Sequence, residues 1–154
     1  MNRLFHLLIF LISIISAQSI DPSHYNNMKF RFIGPDGNRA ISVTGVSSDH
    51  NTYYIGAASG GLFRTKNNGI SWEPIFDDQN VSSVSALAIS QKNPNILWAG
   101  TGETFIIRPA HAIGDGIYKS IDGGDTWKNM GLEKTARIAR VVIHPNNDNI
   151  IFVA

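Results

Sequence analysis

Thr65-Lys66-Asn67-Asn68-Gly69-Ile70-Ser71-Trp72 and Ser120-Ile121-Asp122-Gly123-Gly124-Asp125-Thr126-Trp127 are two versions of one eight-residue phrase. A hydroxyl residue, an Asx residue, a glycine, a second hydroxyl residue and a tryptophan recur in register: Thr65, Asn67, Gly69, Ser71 and Trp72, then Ser120, Asp122, Gly124, Thr126 and Trp127. The tryptophans lie 55 positions apart, at 72 and 127. Each residue type suits a tight turn. An Asx side chain accepts hydrogen bonds from backbone N–H groups of its own turn. Glycine supplies the positive φ that other residues resist. The hydroxyls suit bonding across the hairpin neck, and the indole covers the turn with a large apolar ring.

The flanking text repeats as well. Residues 41–46, 84–89 and 138–143 are short β-rich runs, each followed by a polar turn at 47–51, 90–95 and 144–149. A second apolar run follows each turn, at 52–57, 96–100 and 150–154. Residues 61–65 and 116–120 read as third strands, and 71–76 and 126–130 as fourth strands. Strands this short, punctuated by Gly, Asn, Asp and Pro, predict antiparallel β structure. No helical period follows residue 17.

Four strands per unit at a period near 50 residues are the expectation for a propeller blade, and a solenoid of stacked sheets is the alternative. The fold class expected is therefore all-β: a β-propeller of four-stranded antiparallel blades. Blade one covers about 41–78, blade two about 83–131, and a third begins at 138–154. Residues 18–40 are a lead-in, in which Phe30-Arg31-Phe32-Ile33-Gly34-Pro35 reads as a strand able to close a ring. Because propellers have four to eight blades, the expectation is an incomplete N-terminal portion, with the remaining blades C-terminal to Ala154.

The eight-residue phrase resembles the Asp-box, or BNR repeat. The stretches Gly56-Ala57-Ala58-Ser59-Gly60-Gly61-Leu62-Phe63, Glu73-Pro74-Ile75-Phe76-Asp77-Asp78 and Gly100-Thr101-Gly102-Glu103 look like the start of large secreted BNR proteins, glycosyl hydrolase-like or sortilin-like. The resemblance covers about residues 28–154. It implies that the Asp-box is structural, sits between the third and fourth strands of a blade, and lies away from the ligand face. In the xyloglucan-cleaving propeller hydrolases a catalytic Asp directly follows the second strand of the first blade, just before Gly-Gly-aromatic-Arg. The matching residue here is Ala58, before Ser59-Gly60-Gly61-Leu62-Phe63-Arg64. Alanine can neither donate nor accept a proton.

Composition narrows the function further. The 154 residues are 43% hydrophobic and 16% charged, enough to bury a core. A net charge of +1 with no basic stripe argues against nucleic acid as a partner. The lack of cysteine removes disulfides, thiolate metal sites and a cysteine nucleophile. Arg3, the apolar run 4–15 and Ser16-Ala17-Gln18 form the pattern of a signal peptide, residues 1–17, cleaved after Ala17. The apolar run falls short of the ~20 residues that span a bilayer. Export to a secreted or periplasmic location is expected, with no membrane span after cleavage. Asn80-Val81-Ser82 is a glycosylation sequon, meaningful in a eukaryotic host.

The candidate ligand face is the end opposite the Asp-box turns. Trp98 aligns with Tyr54 at an offset of 44, and Asp115 with Gly60 at an offset of 55, so blade two carries 11 extra residues between Gly100 and Asp115. This insertion holds Glu103, Arg108, His111 and Asp115. Asp77, Asp78, Glu133 and Arg137 fall in inter-blade loops of the same end. Of these, Glu103, Arg108, His111, Asp115 and Asp78 are the binding candidates, for a glycan or protein ligand. Neighbouring carboxylates such as Asp77 and Asp78 point to opposite sides of an extended chain, which does not suit a catalytic pair. A calcium loop at Asp122 and Asp125 lacks the Asp ladder and closing Glu such loops use. His111 has no second His at ligand spacing. No metal, cofactor or catalytic residue is expected within these residues. Two function classes follow: a glycan- or protein-binding scaffold, and the N-terminal part of a polysaccharide-acting hydrolase whose catalytic residues lie beyond Ala154.

Overall fold

The computed structural model describes residues 20–29, 34, 35, 39–104 and 112–154, and clusters into two units divided between Phe32 and Ile33. Residues 30–33 of the expected ring-closing stretch 30–35, and the expected signal sequence at 1–17, lie outside the described residues. Within the first unit, Pro22–Tyr25 forms one turn of 3-10 helix. The fixed φ of Pro22 suits its first position, and Asp21 caps the turn by accepting from the Ser23 N–H at 2.9 Å.

The second unit is all-β. One four-stranded antiparallel sheet runs in the order β1 (Ala40–Gly45), β2 (Tyr53–Ala57), β3 (Leu62–Thr65), β4 (Glu73–Pro74). A second repeats the order with β5 (Val84–Ile89), β6 (Leu97–Thr101), β7 (Ile117–Ser120) and β8 (Lys128–Asn129). β9 (Val141–His144) and β10 (Asn147–Val153) pair as a third, two-stranded sheet. Two differences from the sequence expectation have local causes. The fourth strands are only two residues long, because the turn of the eight-residue repeat consumes the residues before them. β10 starts at Asn147, inside the polar stretch expected as a turn, and its pairing with β9 slips between Asn147 and Ile151.

Register matters here because side chains alternate between faces. In the first sheet Thr44, Tyr54, Arg64 and Glu73 are successive cross-strand partners and form one row. In the second sheet the corresponding row is Ala88, Trp98, Lys119 and Lys128. The sheets also share an irregularity, a register slip between Ala40 and Ser42 and another between Val84 and Ala86.

The sheets stack through two apolar layers. Tyr54, Leu62 and Phe76 pack with Val84, Leu97 and Tyr118 between the first and second sheets. Trp98 and Ile117 pack with Ile138 and Val141 between the second and third. Close approach depends on glycines in the second strands. A Cβ at Gly56 would lie 2.2 Å from the Val84 carbonyl oxygen, and one at Gly100 would lie 2.5 Å from Ile138 Cγ2. Both distances are far inside van der Waals contact, so only glycine lets the next sheet come this near.

Candidate binding site at the loop end of the sheets

The turns of the two eight-residue repeats are built alike. Asn67 Oδ1 accepts from the Ser71 N–H at 2.9 Å, and Asp122 Oδ1 from the Thr126 N–H at 2.9 Å. The neck hydroxyls bond inward rather than to each other. Thr65 Oγ1 accepts from Gly69 N at 2.9 Å and Ser120 Oγ from Gly124 N at 2.8 Å. Gly69 and Gly124 sit at φ 81° and 96°. Hydrogen bonds from the Thr126 hydroxyl and N–H hold the Asp122 carboxyl down at about 2, against an ordinary 3.8.

The second turn also fastens one sheet to the other. Trp127 Nε1 donates to Gly124 O at 3.0 Å within its own turn and to Ile75 O of the first sheet at 2.8 Å. Gly123 O accepts from Tyr54 Oη at 3.0 Å and Arg64 Nη1 at 2.7 Å. Arg64 also pairs with Glu73 at 2.6 Å and with Asp125 at 2.7 Å. The guanidinium is 6% exposed while its partners are 50% and 60% exposed. Sequence reasoning missed Arg64, although it stands at a fixed place before the repeat.

Backbone hydrogen bonds sort the connections into two ends. Asn68 N donates to Asn51 O at 2.9 Å and Gly123 N to Asn95 O at 3.0 Å, which joins each repeat turn to the first-to-second strand turn of its own sheet. At the opposite end Gly60 N and Gly61 N both donate to Ser82 O at 2.8 Å, Gly102 N to Ser83 O at 3.0 Å and Gly114 N to Ala136 O at 2.8 Å. There the second-to-third strand loops meet the connections between sheets.

The candidate residues divide at that second end. Ala58 directly follows β2, is 1% exposed, and donates its N–H to Arg39 O at 3.0 Å. Arg39 Nη2 pairs with Glu103 Oε1. Glu103, expected as an acceptor for ligand hydroxyls, is fully buried, whereas Arg39 is 38% exposed. Glu103 N donates to Ala112 O at 2.8 Å and Ala112 N to Glu103 Oε2 at 3.4 Å. Glu103 therefore joins the neck of the insertion to the lead-in at Arg39. A carboxylate without solvent needs a charged partner, which Arg39 supplies.

Asp115 is half-buried, and its carboxylate accepts from Tyr118 Oη at 2.7 Å while its N–H donates to Thr101 Oγ1 at 3.0 Å. Burial, and secondarily the Asp115 carboxylate, raise the Tyr118 phenol above its usual range. Asp77, Asp78, Glu133 and Arg137 are exposed, as is Asn80 of the sequon. Arg108 and His111 lie outside the described residues. Among the described residues no group of three His, Cys, Asp or Glu is placed to hold a metal, and no helix is long and apolar enough to cross a membrane.

No protein-family profile matches the chain, and no curated protein shows significant sequence similarity to it. Solved structures do match. The chain is similar to an ancestral GH74 enzyme with a TM-score of 0.64 and 22% identity, over 80% of this chain and 17% of that one. It is similar to a GH74 enzyme of Niastella koreensis with a TM-score of 0.53 and 17% identity, over 66% of this chain and 15% of that one. GH74 enzymes are β-propeller-like glycosyl hydrolases, so the stacked antiparallel sheets have the fold of a propeller-like portion, about a sixth of the length of either enzyme.

Proposed function

We propose that this chain is the exported N-terminal portion of an Asp-box propeller that handles carbohydrate, and that this portion serves as a glycan-binding scaffold without a complete active site. One observation carries the reading. Ala58 occupies the position after β2 where the resembling hydrolases place a catalytic Asp, and it is buried beside the Arg39 carbonyl. Glu103, at the corresponding end of the second sheet, is buried and paired with Arg39. Among the described residues at this end the exposed charged side chains include Asp77, Asp78, Glu133 and Arg137, and Arg108 and His111 of the insertion are the further candidates for a ligand. A planar guanidinium grips vicinal hydroxyls or a carboxylate with two parallel N–H donors. A second reading, that the whole protein is a hydrolase with its carboxylates elsewhere, is favoured by the fold likeness to GH74 enzymes.

The experiment is affinity electrophoresis of the full chain through gels containing xyloglucan or other soluble polysaccharides, beside an assay for released reducing ends. The expected result is retardation without release. The joint change Arg108→Ala and His111→Ala abolishes retardation, whereas Lys92→Ala, Asn93→Ala and Asn95→Ala at the opposite end leave it intact. Release of reducing ends overturns the scaffold reading, and loss of retardation only in the second set overturns the choice of end.

A further inference from the structure

The contact between the first and second sheets uses a row of side chains that recurs on the second sheet. On the first sheet, the row Tyr54–Arg64–Glu73 receives the Asp-box turn of the second sheet. Tyr54 Oη and Arg64 Nη1 both donate to Gly123 O, at 3.0 and 2.7 Å, and Arg64 pairs with Asp125 at 2.7 Å. Trp98–Lys119–Lys128 is the same row on the second sheet, with the same cross-strand partnering.

Two observations show that, among the described residues, no turn meets the second row as the second-sheet turn meets the first. Trp98 is 6% exposed, and its Nε1 has no hydrogen-bond partner among the described residues. A buried indole N–H has lost water as a partner, so an acceptor brought to it is favoured. The Lys119 ammonium stands over the Trp98 ring, 5.2 Å from its centroid, and among the described residues neither Lys119 nor Lys128 makes an ion pair. The third sheet already leans on this face, since Ile138 and Val141 pack against the Trp98 layer.

We propose that the Trp98–Lys119–Lys128 row is a docking site for an acidic Asp-box turn, carried by a hairpin that extends the β9–β10 sheet. The carbonyl at the place of Gly123 accepts from Trp98 Nε1, and the carboxylate at the place of Asp125 pairs with Lys119. Charge decides which turn fits. The first-sheet row contains its own acid, Glu73, beside Arg64, whereas the second-sheet row has Lys128 at that position and two cations without an anion. An Asp-box turn with an acid after its glycines, as in Gly124-Asp125, satisfies the row. One like that of the first sheet, where Ile70 follows Gly69, leaves both ammoniums uncompensated.

The test extends the full chain after Ala154 with a short Gly/Ser linker and a copy of residues 115–131. A second chain carries the same extension with Asp125→Ile in the copy. The readout is hydrogen exchange of the Trp98 indole N–H by NMR, assigned by its loss in Trp98→Phe. The expected result is exchange slowed about tenfold or more by the acidic extension and much less by the neutral one. Lys119→Met in the parent part removes the difference between the two. Equal exchange in both extended chains, or no slowing in either, overturns the proposal. Should the extended chains not fold, the unextended chain is titrated with a disulfide-closed peptide of the same turn and its Asp125→Ile counterpart. Protection by the acidic peptide alone supports the site, and equal protection or none overturns it. Protection of the unextended chain that grows with its own concentration assigns the face to a second copy, and also overturns it.

Discussion

Asp122 and Arg64 show how much single side chains contribute to holding the repeat in place. Asp122 titrates at about 2 in the folded chain against an ordinary 3.8, because the Thr126 hydroxyl and N–H favour its charged form. A depressed carboxylate stabilises the fold above its unfolded value, so this contribution is complete above about pH 4 and disappears as the pH falls towards 2. Urea unfolding between pH 2 and 5 checks this. Asp122→Asn, which keeps the acceptor as Asn67 does, should flatten the curve in that window. The Arg64 bridge predicts a non-additive pair. Arg64→Met should cost about 1–2 kcal/mol, since Gly123 O keeps its bond from Tyr54 and the half-exposed Glu73 and Asp125 return to water. Tyr54→Phe should cost about 1 kcal/mol for the same reason. The double variant orphans the carbonyl, and its cost should exceed the sum of the two in a denaturation cycle.

At the scale of elements, the spacing between sheets rests on strand glycines and on the segment after β4. Gly56→Ala puts a methyl 2.2 Å from the Val84 carbonyl, a backbone group that moves only with β5. Gly100→Ala meets the Ile138 side chain at 2.5 Å, which a smaller residue can relieve. Gly56→Ala should therefore sit at or above the top of the ~1–3 kcal/mol overpacking range and resist rescue. Gly100→Ala should recover in part when combined with Ile138→Ala, as thermal melts of the four variants would show. Phe76 ties the same layer together, edge-on to Tyr118 at 5.1 Å and to Trp127 at 5.3 Å. Phe76→Ala should cost ~3–5 kcal/mol in urea, as expected for a fully buried ring.

Across the whole stack, the outer faces carry apolar side chains in water. Val43 on β1 is 68% exposed, and Phe152 and its cross-strand partner Val142 are 62% and 43% exposed. Open strands with an apolar face are templates for further pairing. The chain should self-associate at micromolar concentration in sedimentation velocity, and Val43→Lys with Phe152→Lys should shift it towards monomer. A sharp monomeric melt of the unaltered chain would contradict this reading of the outer faces.

The sequence by itself determined what is local. The repeat turn closes on itself within a few residues, so Asn67, Asp122 and the glycines announce it without reference to anything distant. Strands alternate at period two, so their positions came within a residue or two for β1–β3 and β5–β7. Whatever depends on how the sheets stack was decided only by the tertiary structure. Arg64 meets Gly123 across 59 positions, and Arg39 meets Glu103 across 64, distances over which a single sequence carries no periodic signal. Glu103 read as a loop acid because its residue type favours solvent. It is instead buried, because Ala112 lies beside it and Arg39, just before β1, brings a guanidinium to it. Gly56 and Gly100 recur at the same offset of 44 as Tyr54 and Trp98, and that recurrence was available in the sequence. Its meaning was not, because a missing side chain becomes necessary only when a carbonyl or a methyl of the next sheet occupies its place.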